Sequence, residues 1–363
     1  MAAASAATSP ATAGNGVRFF AADDLNFQIQ LLLGLCGYGG AEVGEVLAAV
    51  DRINAAGAGY QTFVDEFRAL SARTAKAAAL RQRSGHVVSA RAGYLRAASY
   101  GSAALTFVLG TADPSAESTV FAQMRRCWES AAALFDPPIE RVAIEYEGGT
   151  VPGYLLRADR SVRPRPTVIL NNGSDGQSVE LYAFGAAAAL ERGYHALIVE
   201  GPGQGSMLFE RDLPLRYDWE HFISPMVDWL HRRREVDRDR IALVGWSLCG
   251  ESVTRAAAFE HRLAAVCMDP GIVDVWDIWE PQIGGVFMPG AGRTRSTRCG
   301  GNRWYPTCRR RNGSRSPSAP SCSVAVFTRT LLPVGRQWTY GRCVKRCNGS
   351  NAPMWPRACD ARY

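Results

Sequence analysis

The chain of 363 residues has only five histidines, His86, His195, His221, His231 and His261, and none follows His261. Any chemistry that needs an imidazole must draw on these five. No apolar run approaches the roughly 18 residues needed to cross a bilayer, so no membrane span is expected. Met1 to Gly16 is rich in Ala, Ser and Thr and has no charged side chain. Without a basic n-region or a leucine-rich h-region, it reads as a disordered leader rather than a signal peptide, and a cytoplasmic protein is the expectation. Acidic side chains are almost missing from residues 291–363, which hold 14 Arg, Lys345 and the single acid Asp360. That segment carries +14 and residues 1–290 carry −7, so the overall +7 reports on the last 73 residues alone. Six of the ten cysteines (Cys299, Cys308, Cys322, Cys343, Cys347, Cys359) also lie there, but their spacing lacks paired C-x-x-C knuckles, so no metal is expected. The run Arg309-Arg310-Arg311 is too little to imply a nucleic-acid partner. Cys36, Cys127, Cys249 and Cys267 are scattered, as in a reduced cytosolic protein.

Enough remains for a large core, since 47% of the residues are hydrophobic. Residues 17–140 read as a helical substrate or cap domain. Ala41–Ala55, Tyr60–Arg81 and Val87–Leu109 each carry apolar residues at three- and four-residue spacing. Pro137-Pro138 closes this region. Residues 141–290 change period. Val142–Glu147 alternates like a half-buried strand, Gly148-Gly149 is a turn, and Gly153–Leu156 is the partner strand. Strand and helix then alternate. The strands are Thr167–Leu170, His195–Val199, Ile241–Val244 and Leu263–Met268, and the helices are Leu181–Arg192, Asp218–Arg234 and Glu251–His261. This pattern predicts an α/β architecture with a mostly parallel sheet covered on both faces. Active groups in such sheets lie beyond the carboxyl ends of the strands. The loops Asn171–Gly176 and Glu200–Gly205 fall there, as does the turn after Val244.

That last turn is the richest in chemistry. Gly245-Trp246-Ser247-Leu248-Cys249-Gly250 directly follows a buried strand and precedes a helix. A serine on a sharp strand–helix turn projects its hydroxyl from the sheet, as in a nucleophile elbow. Ser247 is the candidate catalytic nucleophile. Cys249 stands where the usual G-x-S-x-G pattern has its second glycine, with Gly250 one place late; a small cysteine should be tolerated. The Leu248 N–H and an N–H of Gly173 or Ser174 are the candidate oxyanion hole. Asp269, at the end of the next strand, is the candidate acid; Asp274 and Asp277 read as solvated loop carboxylates. No triad histidine is found. His86 reads as structural, and His261 as a residue that complements a helix C-terminus. Glu200–Gly205 lacks the Lys-Ser/Thr of a phosphate loop and reads as a rigid turn.

Gly85-His86, Ser89-Ala90 and Tyr94–Tyr100 in the helical region, with Gly201–Gly205 and Gly245–Ser247, resemble the esterase FrsA-like α/β-hydrolases. That family includes 2,6-dihydroxypseudooxynicotine hydrolase and polyketide-shortening hydrolases. The resemblance spans residues 20–290. It implies an α/β-hydrolase fold with an N-terminal helical domain, a Ser-Asp-His triad, no cofactor and a pocket between the two parts. It also implies cleavage of an ester or of a C–C bond beside a carbonyl in a small-molecule substrate. Dimers are common in the family, so a homodimer is an open expectation. The resemblance fails from about residue 290. The Arg-, Cys- and Pro-rich composition beyond it is what a GC-rich gene gives when read out of frame. Codons for Asn312–Thr330 can be chosen so that a neighbouring frame encodes an amphipathic helix. Residues 291–363 are therefore read as an aberrant segment, not a native part of the fold. The alternative to an active serine hydrolase is a truncated or pseudo-hydrolase without its histidine.

Overall fold

The computed structural model describes residues 17–272, 274, 325–326 and 343–344. The leader 1–16, Asp277 and all but four residues of the segment 291–363 lie outside the described residues. The chain divides between Leu134 and Phe135 into two compact units.

The first unit is helical: α1 (Asp23–Leu35), α2 (Val43–Ala55), α3 (Tyr60–Arg83), α4 (Val87–Phe107) and α5 (Glu117–Ala132). Periodicity builds it. α3 buries Phe63, Phe67, Leu70, Thr74 and Ala78 along one face, and α2 buries Val46, Val50 and Ile53. The Glu42 carboxylate accepts the Glu45 N–H at 2.8 Å and caps α2. α4 is the central helix, with every residue from Ala97 to Leu105 buried. Its Ala90, Gly93, Ala97, Gly101 and Ala104 are small, which suits close helix packing. Burial of Tyr100 is offset by hydrogen bonds: its hydroxyl donates to Glu45 at 2.6 Å and accepts the Glu42 N–H at 3.1 Å. Arg96 pairs with the same Glu45 at 3.0 Å.

The second unit opens with β1 (Glu140–Tyr146) and β2 (Gly149–Leu156), an antiparallel hairpin. Its turn residues are Glu147 (φ 45°) and Gly148 (φ 77°), one place earlier than the expected Gly148-Gly149. A two-residue hairpin turn needs positive φ at both positions, and moving it back lets Gly149 start the strand. Then come β3 (Arg165–Asn171) and α6 (Ser178–Leu181), which a π-turn (Tyr182–Ala186) joins to α7 (Ala187–Glu191). They are followed by β4 (His195–Val199), α8 (Gly205–Phe209), α9 (Glu220–His231), β5 (Val236–Trp246), α10 (Cys249–Ala257) and β6 (Ala265–Asp269). The strand order is β1-β2-β4-β3-β5-β6, and β4, β3, β5 and β6 are parallel. This is the α/β-hydrolase arrangement that the sequence predicts. One core cluster joins Ile144, Leu155, Ile169, Leu197 and Leu243 of the sheet to Trp219, Phe222 and Met226 of α9 and its approach, and to Val253 of α10. Two short strands, β7 (Ala325–Val326) and β8 (Cys343–Val344), pair with each other.

Several element ends differ from expectation, and two of these have a specific cause. β5 begins at Val236, inside a charged stretch, because Val236 pairs with Arg165 across a shift of register. α10 stops at Ala257, so His261 lies in a turn beyond the helix and does not complement its C-terminus. The chain leaves the helix there as the Glu260 N–H closes on Ala256 O at 2.8 Å and the Glu260 carboxylate turns to the Arg262 N–H at 3.1 Å. Among the described residues no helix is long and apolar enough to cross a membrane.

Candidate active site

Register brings the loops together. Asn171 of β3 is level with Val199 of β4 and Gly245 of β5, and Trp246 is level with Asp269 of β6. Four parallel strands thus deliver their carboxyl ends to one edge, which carries the Asn171–Gly176 loop, the Glu200–Gly205 loop and the Ser247 turn.

Ser247 has φ 54°, a left-handed conformation rare for a residue with a side chain. Its N–H donates to Asp269 O at 2.7 Å and its carbonyl accepts the Gly250 N–H at 2.9 Å. These two bonds fix the strand–turn–helix geometry and leave Ser247 exposed. Among the described residues its hydroxyl has no hydrogen-bond partner. The late glycine has a physical reason. A Cβ on Gly250 would lie 2.0 Å from Pro270 O, so it is this residue that the neighbouring strand end presses upon. Cys249 instead turns inward and is fully buried, with Sγ 3.1 Å from Asn171 Oδ1 and 3.3 Å from Gln204 Nε2. Burial pushes its thiol up to about 12, so it is an inert packing group.

The candidate oxyanion donors converge on the turn. Gly173 lies so close to it that an added Cβ would be 2.6 Å from Ser247 Cβ, 3.0 Å from Ser247 Oγ and 3.2 Å from the Leu248 nitrogen. Leu248 stands at the head of α10, and among the described residues its N–H has no partner. The Gly173 N–H, however, donates to Asn172 Oδ1 at 2.9 Å. Of the two alternatives for the second donor, the Gly173 N–H is thus occupied at rest, whereas Ser174 is exposed and its N–H is unpaired among the described residues.

Beneath this surface lies a buried polar network. Gln204 Oε1 accepts the Gly201 N–H and the Asn171 side-chain amide, each at 2.9 Å. Gln204 Nε2 donates to Asn172 O and, at 2.9 Å, to Gly173 O. Asn171 Oδ1 accepts the Trp219 indole N–H at 2.8 Å. The Glu200 carboxylate is buried and accepts the Ser178 hydroxyl at 2.6 Å, the Ser206 N–H at 2.8 Å and the Ser206 hydroxyl at 2.6 Å. It therefore fills the N-terminus of α8, the place a phosphate would take in a phosphate loop. Gln204 lies within the Gly201–Gly205 motif and Asn171 opens a loop at the active edge, but no local pattern in the sequence marks either as a residue that joins loops.

The acids and histidines are placed less productively. Asp269 meets the turn through its backbone carbonyl and is partly buried; Asp274 is exposed. Glu251, in the first turn of α10, has its carboxyl raised, mainly by burial and then by Asp274. His195 is buried at the start of β4, the opposite end of the sheet, where its Nδ1 accepts the Ala158 N–H at 3.0 Å. Burial lowers its pKa. His221 and His231 lie on α9, His261 is exposed, and His86 is exposed at the head of α4 in the helical unit. Among the described residues no histidine hydrogen-bonds Ser247, and no cluster of three His, Cys, Asp or Glu could hold a metal ion.

No family model matches the chain. It is 33% identical over 287 residues to "Hydrolase ORFZ" of Pyricularia oryzae, covering 74% of this chain and 66% of that protein. It is 33% identical over 301 residues to "Hydrolase acrC" of Aspergillus aculeatus, covering 75% of this chain and 67% of the relative. The chain thus spans about two thirds of the length of the curated relatives it matches. Its fold is similar to the crystal structure of 2,6-dihydroxy-pseudo-oxynicotine hydrolase, with a TM-score of 0.59, 26% identity, and 68% and 67% of the two chains covered.

Proposed function

Since this chain belongs to the α/β-hydrolase family, we propose that it descends from, and retains the nucleophile half of, a serine hydrolase acting on a carbonyl-containing small molecule. The observation that carries this reading is the left-handed Ser247 turn, with Gly173 packed against its hydroxyl and the Leu248 N–H beside it. In the proposed step Ser247 Oγ bonds to the carbonyl carbon and the C=O π pair moves onto oxygen. The Leu248 N–H and the Gly173–Ser174 backbone receive that charge. The Oγ proton must pass to a base, and collapse of the adduct expels an alcohol or a carbon leaving group. Ester cleavage and C–C cleavage beside a carbonyl share this machinery, so the site supports both. The Asp269 carboxylate is the proposed acid.

A second reading rests on one specific observation: no histidine follows His261, and none among the described residues reaches Ser247. A serine without an adjacent base is a weak nucleophile. The chain would then be a pseudo-hydrolase that binds a carbonyl ligand without turning it over. One experiment separates the readings. The chain and its Ser247→Ala variant are compared on acyl esters and β-diketones and with a fluorophosphonate probe. Poor but Ser247-dependent labelling and slow turnover support the first reading, because an oxyanion hole alone gives about 10³-fold residual catalysis over water. Identical behaviour of the two proteins leaves only the second.

A further inference from the structure

We infer that Gln204 is the positioning residue of this site, setting the distance between the oxyanion loop and Ser247. The inference rests on the hydrolase reading above for its purpose, but not for its geometry. Gln204 is 4% exposed and comes from a third loop, the one after β4. Its amide touches all three loops. It accepts from its own loop at Gly201 N–H and from the end of β3 at Asn171 Nδ2. It donates to the carbonyls of Asn172 and Gly173, and it lies 3.3 Å from Cys249 Sγ in the elbow helix.

Two features separate this role from ordinary capping. Gln204 occupies the N-cap position of α8, yet its side chain does not cap that helix. Glu200 does so instead, through the Ser206 N–H and hydroxyl. The Gln204 amide is thereby free to face away from its own helix and toward β3 and α10. Second, its two backbone acceptors are the residues on either side of the Asn172–Gly173 peptide. Fixing both carbonyls fixes the plane of the peptide whose glycine packs against Ser247 Oγ. A shift of about 1 Å in such a peptide can cost on the order of 100-fold in rate, because oxyanion donors act only at close range.

The test uses the full chain with two substitutions. Gln204→Met keeps the length and removes every side-chain hydrogen bond. Gln204→Glu keeps the two acceptor contacts and makes the contacts to Asn172 O and Gly173 O repulsive. Hydrogen exchange is followed in peptides covering 171–176 and 247–250, with α3 and α4 as internal reference. The expected result is exchange at least about tenfold faster in both segments and unchanged in the reference. Wild-type exchange at 171–176 in either folded variant overturns the inference. So does unfolding of both variants, since Gln204 would then hold the fold and not one loop. Where the wild type shows Ser247-dependent turnover, kcat falls about 100-fold with KM within about threefold; a loss confined to KM overturns the positioning role. Absence of any Ser247-dependent turnover defeats the hydrolase reading alone, and the exchange result still decides the role of Gln204.

Discussion

The helical unit and the α/β unit use the same ingredients, glycine and buried polar side chains, to opposite ends. In the helical unit one buried polar group, the Tyr100 hydroxyl between Glu45 and the Glu42 N–H, ties one helix to the cap of another. In the α/β unit the buried amides of Asn171 and Gln204 tie loops together at one edge of the sheet. Backbone strain follows the same division. Every positive-φ residue with a side chain (Glu147, Asp212, Ser247) lies in the α/β unit among the described residues. Helices satisfy their own backbone, so their packing can relax along a face. Loops at strand ends must find partners elsewhere, and each partner fixes a position. The contrast teaches where change is tolerated.

Glycine substitutions should give the largest effects and test the difference between the units most directly. Gly250→Ala would drive a Cβ to 2.0 Å from Pro270 O, whereas a Cβ on Gly34 of α1 would meet nothing within 4 Å. Denaturant unfolding should show Gly250→Ala losing about 3 kcal/mol or more. Gly34→Ala should gain about 0.5–1 kcal/mol, because alanine favours helix. Equal effects would mean that the two units do not differ in tolerance. Tyr100→Phe should cost about 1–2 kcal/mol by chemical denaturation, since Glu45 and the Glu42 N–H each lose a partner.

Ser247→Gly sharpens the contrast between stability and chemistry. It removes the hydroxyl and relieves the φ 54° strain, so it should raise stability by about 1 kcal/mol while giving no Ser247-dependent turnover. A destabilised variant would show that the turn is not strained. The smallest effect concerns acid. Burial holds the His195 pKa below its ordinary 6.5, so the folded state favours neutral imidazole. The unfolded chain takes up the proton first as pH falls, and His195 stability, fully present above about 6.5, is lost below it. Protonation at Nδ1 would also displace the Ala158 N–H. Unfolding midpoints measured across pH 5–8 should fall on the acid side, and less steeply in His195→Gln.

The strands and the elbow were legible because they are local. Ile241–Val244 followed by Gly-x-Ser specifies a buried strand and a sharp turn within ten residues, and the φ of Ser247 follows from that turn. Tyr60–Arg81 was legible as a helix from its period alone. What escaped was whatever depended on distant partners. β5 extends back through Val236–Arg240 because Arg165 offers it a partner. The helix expected to run to His261 ends at Ala257, where Glu260 finds Arg262 and Asp228 takes the other end of the same guanidinium. The exchange of places between Cys249 and Gly250 could be noticed in the sequence, but not that Pro270 O is what excludes a side chain from Gly250.

The alternation of strand and helix, the place of Ser247 between them, and the lack of any histidine after His261 are written in adjacent residues or in composition, so the amino-acid order alone carries them. What depends on the fold is that Gly173 packs against the Ser247 turn, that Cys249 Sγ lies against Asn171, and that Gln204 bonds to Asn171, Asn172 and Gly173. Those contacts link residues about 30 to 80 apart in the chain, and a hydrogen bond depends on separation in space, to which the order of residues is blind until the sheet sets its register.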